Sequence, residues 1–144
     1  MAFSSVHEMI DLCKESGKPL YEVILESDLA ESGLTRAESE AEMHRLWAVM
    51  QATSDGYCGA DRSMSGFAGG DAAKVNAAAA RGVLYADGYF ADVMAEALKT
   101  PECNACMKRL VAAPTAGSSG GLPAGLLPLQ RPRRAHEDAP HSAL

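Results

Sequence analysis

Apolar residues in this chain recur at helical spacing in short, punctuated runs, and no stretch shows the strict alternation of a strand. That pattern limits the fold to helices. The first run covers about residues 5–16, with Val6, Met9, Ile10 and Cys13 at i, i+3, i+4 and i+7 and Gly17 as the stop. A second opens at Pro19, tolerated in a first turn, and carries Leu20, Val23, Ile24 and Leu29 before Gly33 ends it. A third begins at Thr35, with Glu38 three residues later as a capping box. Its expected inner face is Met43, Leu46, Trp47 and Met50, and its outer face is strongly acidic.

Between Ser54 and Gly70 the periodicity stops, and Gly56, Gly59, Gly66, Gly69 and Gly70 mark a long ordered or functional loop. Asp71 then caps an alanine-rich helix ending near Gly82. A further helix is expected from Asp87 to Lys99, with Phe90, Val93, Met94, Ala97 and Leu98 on one face. Thr100 and Pro101 should restart helix as cap and first residue, covering about residues 102–110. A Thr/Ser/Gly loop follows and leads to another helix start at Leu122–Pro123. Five of the seven prolines lie between Pro114 and Pro140, with Pro128 inside that last helix. The final stretch has neither an apolar face nor caps. The expectation is an all-α chain: a partial helical domain over 1–127, two Gly/Ser-rich loops at helix N-termini, and a disordered tail over 128–144.

Charge narrows the partners. The chain of 144 residues carries −6, and residues 1–130 alone carry 10 basic against 17 acidic side chains, a balance that repels nucleic acid. No apolar run approaches the roughly 20 residues of a membrane-spanning helix. The N-terminus has neither the basic nor the apolar region of a secretory signal, so the cytoplasm is the expected compartment. There Cys13, Cys58, Cys103 and Cys106 should be free thiols.

Two loops are the strongest candidates for chemistry. In the stretch 63–71 (SMSGFAGGD) the glycines let backbone N–H groups approach a small anion at a helix N-terminus. The stretch 114–121 (PTAGSSGG) repeats the design with three hydroxyls added. Neither has the GK[ST] of a phosphate-binding loop or a strand before it, and each could equally be a plain helix-entry turn. Cys103 and Cys106 form a C-x-x-C, which fits a redox pair, half of a metal site, or two structural thiols. A free-standing thiol-redox protein is disfavoured because no βαβ pattern accompanies the motif. His7 and His44 take surface positions on helices, and His136 and His141 lie in the tail. No nucleophilic triad can be assembled.

Three segments, KPLYEVILESDLAESGLTRAE, RSMSGFAGGDAAKV and ECNACMKRLVAAPTAGSSGGLPAGLL, occur in an order and spacing that resembles the α chain of iron–sulfur-dependent L-serine dehydratase. The resemblance covers about residues 1–127 and implies a helical α part of a lyase converting L-serine to pyruvate and ammonia. It further implies a β chain or β domain as partner and a 4Fe–4S cluster held by three cysteines, with one iron acting as a Lewis acid. Carried over residue by residue, it points to Ser65, Gly66, Gly69, Gly70 and Asp71, with Arg62 and Ser63 beside them, then to Asn104, Thr115, Gly117 and Ser118 as substrate-binding positions. The two loops would approach each other and hold the serine carboxylate and hydroxyl; the resemblance leaves the α-proton base unassigned. Three departures stand out. Ser119 occupies a cluster-cysteine position, where a hydroxyl is a much poorer iron ligand than a thiolate. Lys108 stands where glycine is usual before Arg109. No cysteine follows Cys106, which leaves Cys103 and Cys106 as weak cluster candidates. The expectation is therefore an incomplete or frame-shifted α part, inactive in isolation. The rival is a non-catalytic helical module that binds a β-type partner.

Overall fold

The computed structural model describes residues 3–84, 88–113 and 115–137. Within them lie six helices and no strand: α1 (Val6–Ser16), α2 (Leu20–Ser32), α3 (Arg36–Asp55), α4 (Asp71–Ala80), α5 (Gly88–Ala105) and α6 (Gly121–Glu137). Asp87, Pro114 and residues 138–144, His141 among them, lie outside the described residues, as does the side chain of His136. The chain divides into two compact units, Met1–Arg45 and Leu46–Leu144.

In the first unit the helix signals act as the residues dictate. Ser5 Oγ accepts the N–H of Glu8 at 3.2 Å, while the Glu8 carboxylate accepts the backbone N–H and hydroxyl of Ser4. Gly17 and Gly33 turn into left-handed backbone, at φ 68° and 71°, and donate to the carbonyls of Cys13 and Leu29. The Thr35–Glu38 capping box forms reciprocally: Glu38 N–H donates to Thr35 Oγ1, and Glu38 Oε2 accepts the backbone N–H of Thr35 at 2.9 Å. Arg36 ties α2 to α3 through Glu22 and also holds Glu40 one turn on. Packing is thin. Among the described residues of this unit only Val23 is buried, and Met43, expected on the inner face of α3, is 67% exposed.

The second unit is better filled. α5 packs against α4 and against α6, and the residues at these contacts are small: Ala72, Ala91, Ala95 and Ala124 are buried, with Met50, Cys103 and Leu127. Each buried methyl is worth only about 0.8 kcal/mol, so close helix approach and polar contacts do much of the specifying. The segment after α5 returns to the end of α3, where Thr53 Oγ1 lies 3.0 Å from the Arg109 carbonyl and Lys108 Nζ donates to the Gly56 carbonyl at 2.9 Å.

Three boundaries differ from expectation, two in α5 and one in α6. α5 does not restart at Pro101 but runs through it. The proline forfeits the bond to the Ala97 carbonyl, and burial of Thr100, Glu102 and Cys103 on the same helix compensates. α5 then stops at Ala105 rather than near residue 110, because Met107 adopts φ 60°. The N–H of Lys108 donates to the Cys103 carbonyl and that of Met107 to Asn104, the paired bonds of a Schellman stop. At the other end, α6 continues past residue 127 to Glu137. Pro123 falls in the first turn, where no helical N–H partner is lost, and both Pro123 and Pro128 are fully buried, so their rings serve as core.

Candidate functional site

The middle loop folds upon itself. Ser63 N–H donates to the Ala68 carbonyl at 2.9 Å, Ala68 N–H donates to Ser63 Oγ, and Ser63 Oγ lies 3.1 Å from Ser65 Oγ. Ser65 and Gly66 sit at an exposed tip flanked by Met64 and Phe67, both nearly fully exposed. At its base the backbone is crowded. Gly69 has φ 121°, and a Cβ there would fall 2.3 Å from the Asp61 carbonyl oxygen. Gly70, at φ 89°, lies against the Arg62 guanidinium, which donates to the carbonyls of Gly59 and Asp61. Only glycine fits both positions.

The three N–H groups at the start of α4 do meet an anion, and it is Glu102 from α5. Glu102 Oε2 accepts from Gly70 N–H at 2.9 Å, and Oε1 accepts from Asp71 and Ala72 N–H at 2.7 and 3.2 Å. A carboxylate at a helix N-terminus satisfies orphan donors and complements the helix dipole. The donors expected to serve a small anion at Gly70 and Asp71 are thus bonded within the chain. The Asp71 side chain points elsewhere: it is exposed, pairs with Lys74 at 2.6 Å, and that hydrogen bond holds its carboxyl below the usual range.

A buried polar network continues from Glu102. Tyr57 OH donates to Glu102 Oε2 at 2.7 Å and accepts the N–H of Ala73 at 3.2 Å. Burial first, then the bond to Glu102, pushes the Tyr57 phenol up to about 12. Lys99 Nζ stands 6.0 Å from the centre of the Tyr57 ring and 2.6 Å from Glu96 Oε1, and Ser54 Oγ donates to Glu96 Oε2 at 2.7 Å. Glu96 is 1% exposed, so its charge is matched by a cation and a hydroxyl in a setting where an unpaired charge would be costly. Glu102 opens the ECNAC segment, but nothing in that segment assigns it this role. What marks both glutamates in the sequence is register: Glu102 lies seven residues after buried Ala95, and Glu96 seven before buried Cys103, on the inward face of α5.

The late loop is also internally bonded. Thr115 N–H donates to Ser118 Oγ and Ser118 N–H to Thr115 Oγ1, at 3.2 and 3.3 Å. Thr115, Gly117 and Ser118 are exposed. Gly120 is packed so closely on α5 that a Cβ would lie 2.6 Å from the Ala97 carbonyl oxygen and 3.3 Å from Pro101 Cδ. Pro101 is the residue that leaves this carbonyl without its helical partner. The two loops therefore abut one stretch of α5, residues 97–102, the middle loop at Glu102 and the late loop at Ala97 and Pro101. Asn104 is exposed at the end of the same helix.

The described residues do not fit a 4Fe–4S cluster. Ser119 is 1% exposed and its hydroxyl donates to the Ala116 carbonyl at 2.7 Å. Cys58, Cys103 and Cys106 line one narrow crevice with Asp61 and Lys108, but no three His, Cys, Asp or Glu side chains among the described residues converge as metal ligands. Cys103 is buried, and burial pushes its thiol up; its Sγ lies 3.8 Å from the Thr53 carbonyl. Cys58 was not tied to the C-x-x-C by sequence spacing; the long loop brings it there. Lys108 pairs with Asp61, which raises the pKa of the ammonium.

The family described as "Serine dehydratase alpha chain" matches residues 15–143, beyond residue 127 where the resemblance was expected to end. The "L-serine dehydratase, alpha chain" of Peptoniphilus asaccharolyticus is 34% identical over 125 residues, covering 86% of this chain and 43% of the relative. The "Probable L-serine dehydratase, alpha chain" of Bacillus subtilis (strain 168) is 30% identical over 124 residues, 86% of this chain and 41% of the relative. The chain thus spans about two fifths of the length of these curated relatives, and no solved structure matches. Over nearly its whole length, this chain belongs to the serine dehydratase alpha-chain family.

Proposed function

We propose that this chain is the α part of an L-serine ammonia-lyase, acting with a β-type chain or domain to convert L-serine to pyruvate and ammonia in the cytoplasm. The observation that carries the reading is the 34% identity over 125 residues to a relative named L-serine dehydratase, alpha chain. The packing of both glycine-rich loops on one stretch of α5 supports it, since a substrate held by two loops needs a common rigid support.

In this reading the exposed groups of the loops meet the substrate. Thr115, Gly117 and Ser118, with the Asn104 side chain, bind the serine carboxylate and hydroxyl; Ser65 and Gly66 approach from the other loop. Gly69, Gly70 and Asp71 act through their backbone, which Glu102 holds in place. These residues bind and orient. The described residues do not form the ligand set of a 4Fe–4S cluster, and the base that takes the α-proton is not among the groups assigned.

The test is anaerobic co-purification of the full chain with a β-type chain, treatment with iron and sulfide, and measurement of pyruvate formed from L-serine. Turnover that Thr115→Val or Asn104→Ala lowers by at least about tenfold, the effect of one lost charge-assisted hydrogen bond, supports the reading. A folded chain that forms no complex with the β-type chain, or a complex whose turnover of L-serine both substitutions leave unchanged, overturns it.

A further inference from the structure

We infer that the groove between α2 and α3 in the first unit is a docking surface for a cationic amphipathic segment of a partner protein. This stands apart from the lyase reading and uses none of its residues.

The groove has a volume of about 520 Å³. One wall is the stripe Tyr21, Ile24, Leu25 and Asp28 at i, i+3, i+4 and i+7 of α2; Met43 and Glu40 belong to the other. Tyr21 and Met43 are each 67% exposed and Ile24 43%, in a unit whose described residues include a single buried side chain. A helical unit of 45 residues with so small a core gains most from a partner that covers this stripe.

Charge selects the occupant. Residues 1–45 hold ten acidic and four basic side chains, a net −6, whereas residues 46–144 hold nine of each. The whole net charge of the protein is thus concentrated on the unit that carries the groove, with Asp28 and Glu40 in its lining. A second copy would set −6 against −6, and an anionic membrane surface would be repelled likewise. A segment with leucine-like residues on one face and lysine or arginine flanking them satisfies both the apolar stripe and the acidic rim.

The experiment titrates the full chain with two synthetic amphipathic helices of about 18 residues, one of leucine and lysine, the other of leucine and glutamate. Binding is followed by NMR at the Ile24 and Met43 methyls. The expected result is binding of the leucine–lysine peptide with shifts at those methyls and weakening by added salt. Met43→Glu should weaken it by at least about tenfold, equivalent to roughly 1.4 kcal/mol. The paired change Asp28→Lys and Glu40→Lys should reverse the preference toward the leucine–glutamate peptide, a readout that survives even if Met43→Glu fails to fold. Equal binding of both peptides, shifts confined to other residues, no binding, or self-association through this face would each overturn the inference.

Discussion

Replacing Glu102 by glutamine keeps the shape of the side chain and changes only its charge and one acceptor, so it isolates what the carboxylate does for the middle loop. The carboxylate accepts four hydrogen bonds, from Gly70, Asp71 and Ala72 N–H and from Tyr57 OH. An amide offers one oxygen. If that oxygen keeps Asp71 and Ala72, the new NH2 faces Gly70 N–H, donor against donor, while Tyr57 can turn its hydroxyl to accept. Gly70 is buried, and stranding a buried N–H costs about 1–3 kcal/mol. Losing the negative charge at the α4 N-terminus adds about 0.5–1 kcal/mol. The expected loss is about 1.5–4 kcal/mol by urea unfolding, with faster amide exchange at Gly70, Asp71 and Ala72 than at Ala124 in α6. Tyr57→Phe should cost about 1 kcal/mol alone and show coupling to Glu102→Gln in a double-mutant cycle. A glutamine variant within about 0.5 kcal/mol of the parent, or unchanged exchange at residues 70–72, would refute the claim that this carboxylate braces the loop.

Gly120→Ala should destabilise by about 1–3 kcal/mol, because its methyl meets the Ala97 carbonyl; Gly117→Ala, whose added methyl would lie 4.0 Å from Thr115 Oγ1, is the near-neutral control in the same unfolding assay. Thiol labelling should proceed in the order Cys58, Cys106, Cys103, following exposed, half-buried and buried, with Cys103 reacting only on unfolding; mass spectrometry of labelled peptides checks the order. Because the folded pKa of Tyr57 is raised to about 12 above an ordinary 10.0, the stability it contributes is complete below pH 10 and is lost as pH rises toward 12. Alkaline unfolding curves of Tyr57→Phe should lack that part of the slope.

Helix content was legible because it depends on local spacing and on caps such as Ser5, Thr35 with Glu38, Gly17 and Gly33, all of which act within one or two turns. The boundaries at Pro101 and Pro128 were not, because a proline's local cost can be outweighed by burial of its ring or its neighbours, and burial is decided by residues far away in sequence. The same holds for the site. The glycines at 69, 70 and 120 announce tight backbone, and that much could be read. What presses against them could not, since Glu102, Ala97 and Asp61 are brought there by the packing of α4, α5 and the long loop. Cys58 beside Cys103 and Cys106 is a third case, a proximity created by chain reversal at the end of α3.

The bracing of the middle loop also bears on which of its groups remain for a ligand. Backbone donors at the start of α4 are spent on Glu102, and a serine carboxylate competing for them would have to displace a carboxylate that is already covalently part of the scaffold, at high effective concentration. Under the proposed function, substrate recognition is therefore expected to fall on groups that lie exposed and are bonded only to their own loop: Thr115, Ser118 and Ser65. Those hydroxyls can exchange a loop partner for a ligand at little net cost, because one hydrogen bond replaces another. Glu102, by contrast, would matter to turnover through loop position, so Glu102→Gln should lower affinity for serine and loosen residues 70–72 together, whereas Thr115→Val should lower affinity and leave amide exchange at residues 70–72 unchanged.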